Sequence, residues 1–245
     1  MNLETGKIGE IDPADAHTFE NKLFLTFDLD WSIEPAVAHT LDMLDQFEVK
    51  STWFITHETP ILERMIYDDK VELGIHPNFN LLNELNSGYS ARGIIENILE
   101  IVPGATSIRS HSLASSSRLK SLFKEYGLTH HCNLLIPFDS NCLINPWVDH
   151  YGLVEVPHLW EDDVHSEFLS PNSLLDIVNG KFSVVDFHPI HIYLNSRGMQ
   201  NYEDSRPLHK NAEKLRAYRE GARLGNEFGT EDGLLEILQP TYSPE

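Results

Sequence analysis

The chain has 245 residues, 41% of them hydrophobic and 10% aromatic, enough apolar side chain for one large α/β domain with a sizeable core. Its 18 lysines and arginines stand against 38 aspartates and glutamates, a net charge of −20 that repels phosphate backbones and anionic lipid and so argues against nucleic acid as a partner. Cys132 and Cys142 are too few for a disulfide framework and lack the spacing of a structural zinc site. There is no basic, apolar leader and no run of the ~18 apolar residues that a membrane span needs, so the sequence reads as one soluble, cytoplasmic domain over residues 1–245.

In chain order, a first strand is expected from Lys22 to Phe27, running into Asp28, Leu29, Asp30 and Trp31. Ile33, Val37, Leu41, Leu44 and Phe47 recur three or four residues apart and predict a helix with one apolar face. A second strand, Ser51 to Thr56, precedes Thr59 and Pro60, a cap and first-turn proline for a helix from Ile61 to Tyr67. The third strand is Val71 to Ile75, followed by a long polar loop over 76–90 and a helix from Ala91 to Val102. A short strand, Thr106 to Ile108, leads into Arg109, Ser110 and His111.

Serines 115 to 117 can cap the next helix, which ends at Gly127, a residue suited to the left-handed conformation past a helix C-terminus. Further strands are expected at Thr129 to Ile136, Leu153 to Val156 and Phe182 to Phe187, with a helix through Val178 opened by Ser170 and Pro171. A charged helix from His209 to Leu224 closes the pattern. Strands alternating with helices indicate a parallel sheet, and seven strands predict an incomplete β/α barrel, TIM-like but one strand short of eight.

Asp28, Asp30, His76, Arg109, His111 and His188 all stand at or just past the C-terminal end of an expected strand, the end where such barrels carry their active sites. Asp28 and Asp30 are two apart, so on an extended chain both carboxylates face one side and need a compensating cation. One can ligate a divalent metal while the other remains a base toward water. Alternatively, Asp30 caps the helix near Ser32. His76 and His111 are candidate imidazole ligands, and Arg109 can pair with Asp28 and keep it ionised. Structural or surface-loop roles for these three stay open. His188 is a candidate general acid, unless it or His191 satisfies a buried carbonyl. The run Glu161, Asp162, Asp163 either fixes the protonation of that histidine or forms a solvated face.

These residues resemble the polysaccharide deacetylases of the carbohydrate esterase family 4 type, over roughly Lys22 to Tyr193. Thr26-Phe27-Asp28-Leu29-Asp30 resembles an Asp-x-Asp variant of the family's Thr-Phe-Asp-Asp-Gly, which implies Asp28 as catalytic base and Asp30 as metal ligand. Ser51 to Ile55 is similar to its Ala-Thr-Phe-Phe strand, Gly74 to Pro77 to its metal-histidine motif, Ile108 to Ser112 to its Arg-x-Pro-Tyr motif and Val185 to His188 to its Leu-x-His motif. The family's second metal histidine falls on Asn80, a poorer ligand. Either Asn80 binds through its carbonyl oxygen, or His111 becomes the third ligand, or no tight site remains; His111 is the expectation.

The resemblance implies a metal-dependent hydrolase, with zinc the expected ion, that removes N-acetyl or O-acetyl groups from an amino sugar or polysaccharide precursor. Its substrate is then an acetylated sugar, and Trp31, Trp53 and Trp160 are candidates for stacking on sugar rings, although Trp53 suits the core. Two other readings stay open: a metal-assisted hydrolase of a cyclic amide or ureide, and a barrel that has lost catalysis and binds carbohydrate.

Overall fold

Alternate side chains of a strand point to opposite faces, and here one parity meets helices while the other meets itself across a barrel interior. The computed structural model describes residues 4–83, 88–178, 182–222 and 227–239. Along them run β1 (Glu4–Thr5), β2 (Lys22–Asp28), α1 (Glu34–Leu44), β3 (Ser51–Ile55), α2 (Leu62–Ile66), β4 (Val71–Ile75), α3 (Ala91–Ile101), β5 (Ser107–Ile108), α4 (Ser117–Glu125) and β6 (His130–His131). Then come β7 (Trp147–Val148), β8 (Val154–Glu155), β9 (Trp160–Glu161), α5 (Asp162–His165), α6 (Ser173–Val178), β10 (Ser183–Phe187), α7 (Pro189–Leu194), α8 (Gln200–Ser205), α9 (Ala212–Ala222) and α10 (Thr230–Leu238).

The strands pair in the order β7-β8-β6-β5-β4-β3-β2-β10-β9, all parallel except β7 with β8. β8 and β9 belong to one run, residues 154–161, whose first half pairs with β6 and second half with β10. Between them His158 bridges to Leu135, and the Leu159 N–H donates to the Val184 carbonyl at 3.0 Å. The sheet thereby returns on itself, and the expected seven-stave β/α barrel forms. The expected strand over 129–136 is regular only at β6, because Asn133 turns its side chain to the Ser110 N–H (2.8 Å) and the Ala114 carbonyl (2.7 Å). Of the expected helix to Leu224, residues 212–222 form α9, and 223 and 224 lie outside the described residues.

Outward-facing Leu23, Leu25 and Phe27 join Val37, Leu41 and Leu44 of α1 and Ile94, Ile95 and Ile98 of α3 in the main core, each fully buried large side chain stabilising the fold by about 1.5–3 kcal/mol. Inward-facing Phe24, Phe54, Cys132, Val156 and Val184 pack with Ile8, Ile11 and Phe19 of the N-terminal segment, which plugs the end of the barrel where the strands begin. A Cβ on Gly6 would come within 2.6 Å of the Phe24 ring, so only glycine lets the backbone cross there. Further along the same inward parity the residues turn polar: Thr26 and Asp28 on β2, His76 past β4, Arg109 and His111 past β5, Asp186 and His188 on and past β10. Both cysteines are free thiols. Among the described residues no helix is long and apolar enough to cross a membrane.

Candidate active site

The parallel ladder continues one residue past several strand ends and pins the functional positions. Leu29 N–H donates to the Phe54 carbonyl (3.1 Å), His76 N–H to Ile55 (2.8 Å), Arg109 N–H to Ile75 (3.2 Å) and His111 N–H to Pro77 (3.1 Å). Two pairs of residues then turn the chain over the mouth in the left-handed region: Asp30 and Trp31 (φ 39° and 54°), and Ser112 and Leu113 (φ 56° and 51°). Such conformations cost a non-glycine residue about 1–3 kcal/mol each and persist where the surroundings over-determine them. Asp30 does not cap α1, whose N-cap residue is Ile33 with no side-chain bond.

Asp30, His76 and His111 meet at this mouth. Asp30 Oδ1 lies 3.0 Å from His76 Nε2 and 3.0 Å from His111 Nδ1, and one ligand atom from each residue falls within 4.8 Å of the others. His76 is only 2% exposed, yet neither of its ring nitrogens has an aligned hydrogen bond; the Asp30 contact is close without the right direction. A buried imidazole lone pair beside a carboxylate and a second imidazole fits a divalent cation, since ligands about 2.0–2.2 Å from zinc stand roughly 3–3.5 Å apart. Burial pushes the Asp30 carboxyl up, but the hydrogen bond from His111 and the close approach of the His76 and His188 imidazoles outweigh it and hold it well below the usual carboxylate range. The Asp30 hydrogen bond raises His111 in turn. Asn80 is exposed and donates from its amide nitrogen to Ser112 Oγ at 3.2 Å.

Below the triad sits a fully buried guanidinium. Arg109 Nη1 donates to Asp28 Oδ1 (3.0 Å), to Thr26 Oγ1 (2.9 Å) and to Asp186 Oδ1, while its Nε donates to the Cys132 carbonyl (3.2 Å) and the group lies 4.6 Å over the Phe54 ring. Asp28 Oδ2 is also 3.4 Å from His76 Nδ1, so Asp28 borders both arginine and triad. Burial pushes the Asp186 carboxyl up; Arg109 opposes this and the Asp28 charge adds to it. Sequence reasoning missed Asp186, which lies inside an apolar strand. Its signal is parity, because a carboxylate two residues before His188 on the same strand must face the same interior.

His188 is held by Asp162, Nδ1 to Oδ1 at 2.7 Å and backbone N–H to Oδ2 at 2.8 Å. Its Nε2 faces the mouth, 3.5 Å from Asp30 Oδ2. Burial alone would lower this imidazole, but Asp162, Asp30 and Asp163 raise it well above its ordinary value. The acidic run is therefore not a solvated face: Asp162 is wholly buried, and burial together with the charges of Glu161 and Asp162 pushes Asp163 up to about 7. His191 is buried behind His188, edge-on at 5.8 Å between ring centroids, and burial lowers it to about 4. Trp53 and Trp160 are core residues, 0% and 1% exposed, whereas Trp31 is 48% exposed at the rim with its ring 5.3 Å from that of His111.

Two further acid–histidine groups lie nearby. In Asp28, Asp186 and His188 the space between the carboxylates is taken by Arg109, and Glu161, Asp163 and His188 share the imidazole that Asp162 already holds. Among the described residues, the triad is the acid–histidine group that combines two imidazoles with a carboxylate.

The WbmS-like polysaccharide deacetylase description matches residues 25–206. A crystal structure from Bordetella bronchiseptica, described as a polysaccharide deacetylase involved in O-antigen biosynthesis, is 35% identical, covers 98% of both chains and superposes with a TM-score of 0.90. A Mycobacterium smegmatis structure described as a polysaccharide deacetylase is 19% identical, with 98% of this chain and 94% of that one covered and a TM-score of 0.47. The Bc1960 peptidoglycan N-acetylglucosamine deacetylase is 18% identical over 84% and 83% of the two chains, TM-score 0.43. A search of curated proteins gave no match. The family match and the 35% identical, end-to-end relative agree with the motifs and the barrel: this chain belongs to the WbmS-like polysaccharide deacetylases.

Proposed function

We propose that the protein is a metal-dependent hydrolase that removes the N-acetyl group from an amino-sugar unit of a surface polysaccharide or its precursor. The observation that carries this reading is the meeting of Asp30, His76 and His111 beside a base–arginine pair on one side and an acid–carboxylate pair on the other. Asp30, His76 and His111 would hold a divalent cation, which when bound would supply positive charge to polarise the acyl carbonyl and make a water easier to deprotonate. Asp28 accepts that proton. Arg109 aims Asp28 through the Nη1–Oδ1 hydrogen bond, its own charge secured because the Asp186 and Asp28 carboxylates outweigh the effect of burial and raise it further. His188, protonated and oriented by Asp162, delivers a proton from Nε2 to the leaving amine, without which the C–N bond breaks slowly. The relative involved in O-antigen biosynthesis supports a polysaccharide precursor as substrate.

The test is acetate release from N-acetylated and O-acetylated sugars by protein stripped with chelator and reloaded with zinc. Release from the amide that depends on the added ion is the expected result. Turnover of cyclic amides or ureides but not of acetylated sugars would move the assignment to another C–N hydrolase. Saccharide binding with no release of acetate from any substrate would make the chain a catalytically lost barrel.

A further inference from the structure

Beside the triad the rim carries an arrangement that the proton-transfer groups leave unused. Trp31 follows Asp30 directly, stands half in solvent, and is held in the left-handed region at φ 54°, a conformation rarely adopted by a bulky side chain. Its backbone N–H donates to Thr56 Oγ1 at 3.2 Å, past the end of β3, and the same hydroxyl lies 2.8 Å from His57 Nδ1. Thr56 thus uses one lone pair on Trp31 and keeps a proton and a second lone pair, with His57 Nδ1 in hydrogen-bond reach. Where Nδ1 accepts the threonine proton, the imidazole carries its own proton on Nε2. Burial also lowers His57 and so favours its neutral form. An exposed indole and a partly buried imidazole are therefore tied to one threonine, and the indole stands against His111 with 5.3 Å between ring centroids and 78° between ring planes.

We propose that Trp31 and His57 form a saccharide subsite at the rim, with the indole carrying the apolar C–H face of a pyranose ring and His57 Nε2–H donating to an oxygen of the same sugar unit. The proposal rests on the deacetylase reading and deepens it by placing the sugar whose substituent reaches the triad. A pyranose is the occupant of matching chemistry: a rigid apolar face with oxygens around its edge, neutral, and so not repelled by a chain of net charge −20. Because Trp31 adjoins Asp30 in sequence and His111 in space, a ring stacked there holds a 2-acetamido group toward Asp30 and His111. Strain at Trp31 is consistent with a side chain kept for what it contacts, since glycine would adopt the same backbone more cheaply.

Binding is read on the full chain carrying Asp28→Asn, so that the probe is not consumed. Tri-N-acetylchitotriose and the methyl 2-acetamido-2-deoxyglycosides of gluco and galacto configuration are titrated by calorimetry, with metal content and melting temperature followed in parallel. Added Trp31→Ala or His57→Ala is expected to weaken binding by about tenfold or more, while Trp31→Phe and His57→Gln, which keep an aromatic face and an N–H donor, recover most of it. In the same titration Trp31 fluorescence should shift on binding, and the shift should vanish in Trp31→Phe, a readout that holds even if an alanine variant folds poorly. Equal affinity with and without Trp31, or no saturable binding of any probe in the millimolar range, overturns the subsite. The two readings fail separately: wild-type protein that releases no acetate but loses binding in Trp31→Ala refutes the hydrolase and keeps the subsite, whereas acetate release with Trp31-independent binding does the reverse.

Discussion

Asp162 holds His188 at two points, Oδ1 on Nδ1 at 2.7 Å and Oδ2 on the backbone N–H at 2.8 Å, so that one buried carboxylate sets both the tautomer and the direction of the ring. Its charge also keeps His188 protonated well above the ordinary histidine value of about 6.5, in the face of burial that would lower it. The sign follows directly. A histidine raised in the folded state stabilises the fold below its unfolded pKa, and that contribution is lost as pH rises through the folded value. Activity that needs the proton fails on the same alkaline side. Asp162→Asn keeps the shape and removes the charge, so the alkaline limb of kcat/KM should move to lower pH; a limb that stays in place would show that another group donates the proton.

In the proposed hydrolase Asp28 is the base because it borders both Arg109 and the triad. Asp28→Asn should reduce acetate release by about two to four orders of magnitude, the usual worth of a positioned general base, while leaving metal content intact. Steady-state kinetics with metal analysis checks this, and undiminished turnover would reassign the role.

The triad predicts a hierarchy of metal loss. His76→Ala and His111→Ala should each lower affinity for zinc by at least about tenfold, whereas His191→Ala and Asn80→Ala should leave it nearly unchanged. Equilibrium dialysis with elemental analysis distinguishes them, and equal losses in all four would mean that the metal sits elsewhere.

Gly74, two residues before His76, lies where β4 crosses Phe54 and Ser107. A Cβ there would meet Ser107 Oγ at 2.5 Å and Phe54 Cδ1 at 2.8 Å. Gly74→Ala should therefore destabilise by about 1–3 kcal/mol through overpacking, lowering the melting temperature by several degrees. Calorimetry measures it; an unchanged melting temperature would mean that the barrel wall gives way at no cost.

The barrel was legible because its long strands are apolar runs ending in chemistry-bearing residues, and the end of a strand is where a period-two pattern breaks. Asp28, His76, Arg109 and His188 share that signature. For His111 the family resemblance leaves three alternatives open, because Asn80 stands at the second histidine position; what sequence spacing does not show is that Ser112 and Leu113, both left-handed, turn the chain just after His111 and that its ring lies 3.0 Å from Asp30. Asp186 was hidden because a single acid in an apolar strand reads as a strand residue, and its partner Arg109 is 77 positions away. Asp162 was ambiguous because an acidic run looks the same in sequence whether it faces water or a histidine. The N-terminal plug went unseen since Ile8, Ile11 and Phe19 have no regular spacing and gain their burial only from the inner faces of distant strands.

The central claim is that a cation is caged by groups from three separate strand ends. Anomalous diffraction from a zinc-loaded crystal tests it most directly. The account predicts one strong peak about 2.0–2.2 Å from an Asp30 oxygen, a His76 nitrogen and a His111 nitrogen. A peak between Glu161 and Asp163 instead, or His76 facing away from the ion, would contradict it.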